Sequence, residues 1–276
     1  MPELPEIETI VRGLNSAILE AKILDLELSG KKLRGKPVAD FASHIKNQTI
    51  KAVSRRGKYI IIALQNGGNI IIHLGMSGRL LVGRDIKPNL HDHARILLND
   101  GNNIVFNDPR RFGIITYTKN ITDSPLLKNL GVEPLAKAFT VKQLSGILAN
   151  RKAPIKTVLM NANLIVGIGN IYVSESLFRA GIHPQRLAAS ITPAEIKKLV
   201  PAIKTVLKEA ISSGGSTLRD YVSSNGDVGG FQHKFEVYGR KDKPCLKCGS
   251  RIKVLKIAGR ATYYCQSCQK ISRGSK

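Results

Sequence analysis

Hydrophobic residues near the N-terminus of the chain recur at helical spacing. They are Ile7, Ile10, Val11, Leu14 and Ile18. This period predicts a helix over residues 3–18 with one apolar face. Pro5 suits a first helical turn, and the acidic Glu3, Glu6 and Glu8 complement the positive end of the helix dipole.

The apolar segments that follow are short, as in strands, and come in pairs separated by turns that contain glycine. They cover residues 59–64, 70–74, 94–98 and 104–106. The turns at 65–68 and 99–101 predict two hairpins. We therefore expect residues 1–134 to form one helix and a β-rich domain, either a sandwich or a barrel.

The pattern becomes helical after Pro134. Candidate helices cover residues 140–150, 154–161, 170–180 and 193–212. Thr192, Pro193 and Glu195 form a start signal for the last helix, and Pro201 predicts a kink or an early end within it. The following Gly- and Ser-rich stretch, residues 212–230, is either a plain connector or a mobile functional loop.

Composition narrows the class of protein. The 276 residues carry 43 Lys and Arg against 20 Asp and Glu, a net charge of +23. No apolar run approaches the ~18 residues of a membrane span, and the acidic, proline-rich N-terminus does not resemble a secretory signal. The charge favours a nucleic-acid partner over a ribosomal or merely adhesive basic protein, and its spread through folded segments favours a shaped surface.

All four cysteines lie near the C-terminus. Cys245 and Cys248 are separated by two residues, as are Cys265 and Cys268, with sixteen residues between the pairs. This spacing is typical of a four-thiolate zinc site in a ribbon hairpin, with Arg260 at or beside the tip. The alternatives are two disulfides or redox thiols. Four thiolates leave no open coordination position, so this zinc ion is expected to be structural.

Pro2 is a candidate nucleophile. Without Met1 the chain would begin with a secondary amine, which can attack an aldehyde carbon and form an iminium ion. Glu3 is the neighbouring proton carrier. The alternative is that Pro2 and Glu3 serve only to begin the first helix.

Six segments taken together resemble the formamidopyrimidine-DNA glycosylases. They are PELPEIET (2–9), RRGKY (55–59), HLGMSG (73–78), DPRRFG (108–113), VGIGNIY (166–172) and YGR (238–240), followed by the cysteines. Their order extends the resemblance over essentially the whole chain. It implies an α+β multidomain fold with DNA in a cleft between two lobes. The expected domains are a β-sandwich with one long helix (1–134), a helix–two-turn–helix domain (135–236) and a zinc finger (237–276).

The resemblance also implies a reaction. The expected substrate is double-stranded DNA with an oxidised purine, whose damaged base is flipped out of the duplex. Pro2 would attack C1′ of the sugar, Glu3 would act as general acid and base, and Lys58 would assist as proton donor and phosphate ligand. The residues alone leave open that Lys58 is an ordinary exposed lysine on a strand. Arg260 would serve the second of two successive eliminations. An arginine stays charged at neutral pH, so we expect it to hold the phosphate. The expected chain is a monomer in the bacterial cytoplasm, with one zinc ion and no organic cofactor.

Further positions match residues that contact DNA in this family. Met76, Arg110 and Phe112 would fill the space left by the flipped nucleotide, although core packing is an alternative for Met76 and Phe112. His91 and Lys152 match other DNA contacts, and Asn170 would open a helix whose N-terminus suits a phosphate. The loop 216–230 corresponds to the segment that closes over the flipped base.

Three other interpretations remain, one for a pair of histidines and two for the function of the whole chain. A His-x-His metal site at His91 and His93 lacks further ligands nearby. An endonuclease VIII-like enzyme for oxidised pyrimidines is disfavoured, because that branch usually has glycine at the position of Leu4 and usually lacks the RRF sequence at 110–112. A non-catalytic zinc-ribbon protein that binds DNA or RNA would explain the charge but would have no use for a free N-terminal proline.

Overall fold

The structure of the protein is a computed structural model that describes residues 2–35, 38–216 and 229–271. The chain divides into two compact units. Residues 1–129 and 213–230 form the first, and residues 130–212 and 231–276 form the second. The domain boundaries expected from the sequence, at residues 134 and 236, remain a prediction. Every helix in the described ranges is too short or too polar to span a bilayer.

The first unit is a β-sandwich with a long helix at its N-terminal end. Its elements are α1 (Leu4–Ile18), β1 (Ile23–Leu28), α2 (Phe41–Ile45), β2 (Ile50–Arg56), β3 (Tyr59–Leu64), β4 (Asn69–His73), β5 (Arg79–Gly83), β6 (Asp92–Leu98), β7 (Asn103–Asn107) and β8 (Ile114–Thr118). Two four-stranded antiparallel sheets have the orders β1-β6-β7-β5 and β2-β3-β4-β8. Both predicted hairpins are confirmed, and of the two predicted architectures the sandwich is confirmed.

A single apolar core joins α1 to both sheets. Leu14 of α1, Ile62 of β3 and Phe106 of β7 are all at most 1% exposed and belong to one cluster. Burial of each such side chain contributes roughly 1.5–3 kcal/mol, so the helix is fixed by its apolar face. The predicted helix 3–18 begins one residue later in the structure, because Glu3 is its N-cap.

Three loops emerge from the same edge of the second sheet. His73, the last residue of β4, pairs with Tyr59, the first residue of β3, and with Ile114, the first residue of β8. The loop before β3, the loop after β4 and the loop before β8 therefore lie side by side. They contain Lys58, Met76 and the RRF sequence at 110–112 respectively.

The second unit contains helices followed by a small hairpin. Its elements are α3 (Val141–Leu148), α4 (Ile155–Leu159), α5 (Asn170–Ala180), α6 (Pro193–Ser212), β9 (Ile252–Ile257) and β10 (Arg260–Cys265). All four predicted helices are present, and the bounds of the last two agree with the prediction. The start signal of α6 is confirmed, since Glu195 N–H donates to Thr192 Oγ1 at 3.3 Å and Thr192 N–H donates to Glu195 Oε2 at 2.8 Å.

Of the two outcomes expected at Pro201, an early end of α6 is excluded, and a kink remains a prediction. The helix continues for eleven residues beyond the proline, to Ser212. Pro201 lies on its exposed side, whereas Leu199 and Ile203 are buried. Packing of this apolar face compensates for the backbone hydrogen bond that proline cannot make.

Candidate active site and nucleic-acid interface

The N-terminal segment is buried and held in a defined conformation. Pro2 is buried, and Glu3 is only 2% exposed. Glu3 is the N-cap of α1 in a reciprocal capping arrangement with Glu6, whose Oε2 accepts a 2.9 Å hydrogen bond from Glu3 N–H. The two candidate catalytic groups thus lie at the first turn of a rigid helix.

Glu6 also connects this segment to a distant part of the first unit. Its Oε1 accepts hydrogen bonds from Ser216 N–H at 2.8 Å and from Ser216 Oγ at 2.9 Å. Ser216 and Gly230 form an antiparallel bridge at the two ends of the predicted base-closing loop, most of which, residues 217–228, lies outside the described residues. No site role for Glu6 was predicted, although its position three residues after Glu3 is a capping signal.

A salt bridge joins α1 to the turn that contains Lys58. Glu8 Oε2 on α1 lies 3.1 Å from Arg55 Nε at the end of β2, and the Arg55 side chain is 11% exposed. The guanidinium of Arg55 also donates to the carbonyl of Gly57 at 3.1 Å. Lys58 follows directly, so the same contacts that fix the turn place this lysine on the side of the sandwich where α1 begins.

His73 lies beside Lys58 and is kept neutral. Burial, with smaller contributions from the positive charges of Lys58 and Arg34, lowers the pKa of His73 to about 4. Its Nδ1 accepts a 3.0 Å hydrogen bond from Gly75 N–H. An uncharged imidazole at neutral pH leaves the positive charge at this edge of the sheet on Lys58 and Arg34, where a phosphate can be bound.

Two adjacent loops carry large apolar side chains that are exposed to solvent, together with an arginine. Met76 is 41% exposed and Phe112 is 43% exposed, so neither packs in the core. The guanidinium carbon of Arg110 lies 4.9 Å from the centre of the Phe112 ring. Two exposed apolar groups and an arginine on neighbouring loops can enter a base stack and face an unpaired base.

His91 precedes β6 and lies at the base of the second of these loops. Its carbonyl accepts a 2.9 Å hydrogen bond from Asp108 N–H. His93 is 3% exposed and binds Ser29 and the carbonyl of Asp108, so the two histidines have separate environments. In the described part of the chain, the only cluster of three or more potential metal ligands is that of the cysteines.

In the second unit, α5 is joined to the hairpin that contains Arg260. Asn170 is the first residue of α5, as predicted, and its Nδ2 donates to the carbonyl of Ala261 at 3.0 Å. Lys156, 1% exposed, donates to Thr262 Oγ1 at 2.6 Å and to the same carbonyl at 3.3 Å. Arg260 is exposed and begins β10. No local pattern in the sequence indicates that Lys156 is buried.

Lys152 lies four residues before Lys156 along the chain. It is exposed in the connection between α3 and α4. An exposed lysine on a connection suits a contact with a phosphate and has no packing role.

The four cysteines converge as a metal site requires. Their Sγ atoms all lie within 4.8 Å of one another. Cys245 and Cys268 are 3.9 Å apart, and Cys248 and Cys265 are 3.5 Å apart. A tetrahedral zinc ion with Zn–S bonds of about 2.3 Å places its sulfur atoms about 3.8 Å apart. These residues therefore fit one structural zinc ion.

A buried carboxylate fixes the segment that leads to the zinc site. Glu175 of α5 is fully buried, and its Oε2 accepts from Glu236 N–H at 2.9 Å. Its Oε1 accepts from Val237 N–H at 3.0 Å and from Tyr238 N–H at 2.8 Å. Burial raises the pKa of this carboxyl group against the opposing effect of the three hydrogen bonds.

Comparisons with known proteins agree with this architecture. Three family models match: the formamidopyrimidine-DNA glycosylase N-terminal domain (residues 1–115), its H2TH domain (residues 130–222) and the zinc finger found in FPG and IleRS (residues 242–271). A formamidopyrimidine-DNA glycosylase of Wolbachia pipientis is 45% identical over 98% of this chain and 100% of its own length. One from Escherichia coli strain 55989 is 44% identical with the same coverage.

Solved structures with the same fold are also similar to this chain. MutM (Fpg) from Thermus thermophilus is 37% identical with a TM-score of 0.88, covering 97% of this chain and 98% of the other. Lactococcus lactis Fpg in complex with DNA containing an abasic site is 32% identical with a TM-score of 0.89, covering 98% of this chain and 100% of the other.

Proposed function

The chain belongs to the formamidopyrimidine-DNA glycosylase family, and we propose that it excises 8-oxoguanine and formamidopyrimidines with Pro2 as nucleophile. It is a DNA glycosylase and AP lyase of base-excision repair with one structural zinc ion. The observation that carries the proposal is the burial of Pro2 and Glu3 at the first turn of α1, where reciprocal capping with Glu6 holds Glu3 in place.

Removal of Met1 would free the Pro2 amine. Its nitrogen would form a bond to C1′ while the bond from C1′ to the damaged base breaks, and the proton that the amine loses would neutralise the departing base. Glu3 would protonate the ring oxygen as the sugar opens, which converts the adduct into an iminium ion. Its positive charge acidifies the C2′–H bonds.

Strand cleavage would follow from this iminium ion. Loss of a C2′ proton would expel the 3′ phosphate, and a second elimination would expel the 5′ phosphate. Lys58, a residue of the first unit, would supply a proton and bind a phosphate of the DNA. Arg260, exposed at the start of β10, would hold the leaving phosphate during the second elimination.

The remaining site residues would hold the DNA. Met76 and Phe112 would fill the vacated space and Arg110 would face the orphaned base. Three other residues would contact the backbone of the DNA: His91, Lys152 and Asn170. We expect a monomer that acts in the bacterial cytoplasm on chromosomal DNA.

The test compares the protein that begins at Pro2 with one that keeps two extra N-terminal residues. The extension turns the Pro2 amine into an amide, which cannot act as a nucleophile. We expect the extended protein to lose cleavage of a duplex with 8-oxoguanine opposite cytosine by at least about a hundredfold. We expect it to bind the same duplex within about threefold of the unextended protein, since the basic surface is unchanged. Equal cleavage by the two proteins would contradict the proposal.

A further inference from the structure

One buried carboxylate joins the two loops that present Met76 and Phe112. Asp108 is fully buried. Its Oδ1 accepts a 2.7 Å hydrogen bond from the hydroxyl of Ser77, which follows Met76 directly. Its Oδ2 accepts a 2.8 Å hydrogen bond from Gly113 N–H, directly after Phe112. The two oxygen atoms of one side chain therefore bind both loops next to their exposed apolar residues.

The backbone of Asp108 is fixed as firmly as its side chain. Its N–H donates to the carbonyl of His91 at 2.9 Å, and its own carbonyl is 2.9 Å from His93 Nε2. His93 in turn lies 3.2 Å from the hydroxyl of Ser29 through its other ring nitrogen. Asp108 thus belongs to a buried network that extends from β6 into both loops, and buried networks of this kind are rigid when their groups are satisfied.

Close backbone packing completes the connection. A side chain on Gly75 would place its Cβ 2.6 Å from the carbonyl carbon of Phe112. One on Gly113 would place its Cβ 2.9 Å from the carbonyl oxygen of His73. The backbones of the two loops are therefore in direct contact, with no room for either to move towards the other.

We propose that Asp108 is a positioning residue that makes the two loops one rigid element for insertion into DNA. The hydrogen bond from the Ser77 hydroxyl to Asp108 connects the first loop to the second. This inference rests on the proposed function. Asp108 is too deeply buried to touch DNA, so its effect passes through Met76, Arg110 and Phe112. Separation of bases in a stack costs a few kcal/mol per step, and side chains held in place beforehand lose less entropy when they insert.

The test uses substrates that differ in their need for insertion. Ser77→Ala removes the hydrogen bond to Asp108, and Ser77→Thr keeps the hydroxyl that donates it. Single-turnover excision of 8-oxoguanine from a duplex requires the base stack to be opened. Strand cleavage at an abasic site in single-stranded DNA does not. We expect Ser77→Ala to slow duplex excision at least tenfold, to change single-strand cleavage less than twofold, and the Thr variant to recover most of the duplex rate.

A second measurement needs no chemistry. A duplex with 2-aminopurine beside a non-cleavable abasic analogue becomes brighter when the neighbouring stack is opened. Ser77→Ala should reduce this fluorescence change at saturating protein, and Asp108→Asn should reduce it as well, because an amide offers only one acceptor oxygen for the two loops. Ser77→Thr should give the wild-type signal.

The outcomes separate the two proposals. Wild-type protein that fails to excise 8-oxoguanine would overturn the proposed function itself. If the wild-type protein is active, unchanged duplex excision and fluorescence in Ser77→Ala would overturn the role of Asp108. Equal losses on duplex and single-stranded substrates would also overturn it, because they would indicate general structural damage.

Discussion

Replacement of Glu175 by glutamine tests the connection between α5 and the zinc finger. The glutamine has the same shape, and its remaining oxygen can still accept from Val237 and Tyr238. Its amide group would then face the N–H of Glu236 in place of Oε2, now 2.9 Å from that nitrogen. Two donors would oppose each other in a site with no exposure to solvent.

The expected cost follows from these contacts. An unsatisfied buried donor costs roughly 1–3 kcal/mol, and two donors are opposed here. Relief of the buried charge offsets part of this cost, so we expect the free energy of unfolding to fall by about 2–4 kcal/mol. Folding raises the pKa of Glu175, so the unfolded chain loses this proton first as the pH rises. The free energy of unfolding of the wild type therefore falls as the pH rises towards the pKa of the folded protein. The difference between the proteins should therefore be larger at pH 5 than at pH 8.

Urea unfolding followed by circular dichroism measures the change, and the rate of zinc release to a colorimetric chelator reports on the finger. Glu209→Gln is the matched control. Glu209 binds Arg179 at 2.7 Å, but its side chain is 41% exposed, so its loss should cost no more than about 1 kcal/mol. A Glu175→Gln protein within about 0.5 kcal/mol of wild type, with unchanged zinc release, would show that the Glu175 carboxylate does not hold the segment that leads to the zinc site.

Three further predictions concern separate parts of the molecule. Gly75→Ala should lower the free energy of unfolding by at least about 2 kcal/mol more than Gly67→Ala, because both have positive φ but only Gly75 faces close backbone; equal effects in thermal unfolding would contradict this. The lowered pKa of His73, about 4, means that the unfolded chain takes up its proton first as the pH falls below about 6.5. The free energy of unfolding of the wild type should therefore fall by about 2 kcal/mol relative to that of His73→Gln between pH 7 and pH 5. An equal change in both proteins, measured by urea unfolding at the two pH values, would argue against this prediction. Elemental analysis should find one zinc ion per chain, and its removal by a chelator should abolish duplex binding; full binding by zinc-free protein would count against a structural role.

The sequence predicted most elements because their signals are local. The start of α6 follows from Thr192 and Glu195, which cap it, and the hairpins follow from turns between apolar segments. The cysteine spacing predicted a zinc site whose sulfur atoms do converge. In each case the residues that carry the signal are close together along the chain.

The contacts that fix the site could not be read in this way. Asp108 and Ser77 are 31 positions apart, and Glu6 and Ser216 are 210 positions apart. Hydrophobic period reports which face of an element is buried and does not report which distant loops meet. Pro201 shows the converse, since a local rule for helix ends was overridden by packing of the apolar face of α6.

Borohydride trapping is the decisive test of Pro2 as the nucleophile. The protein is mixed with a duplex that contains one 8-oxoguanine opposite cytosine, and the reductant is added during the reaction. We expect a covalent protein–DNA product whose attachment maps to Pro2, together with a gap that bears phosphates at both ends. Rapid excision of the base without any trapped product, or a product attached to another residue, would contradict it.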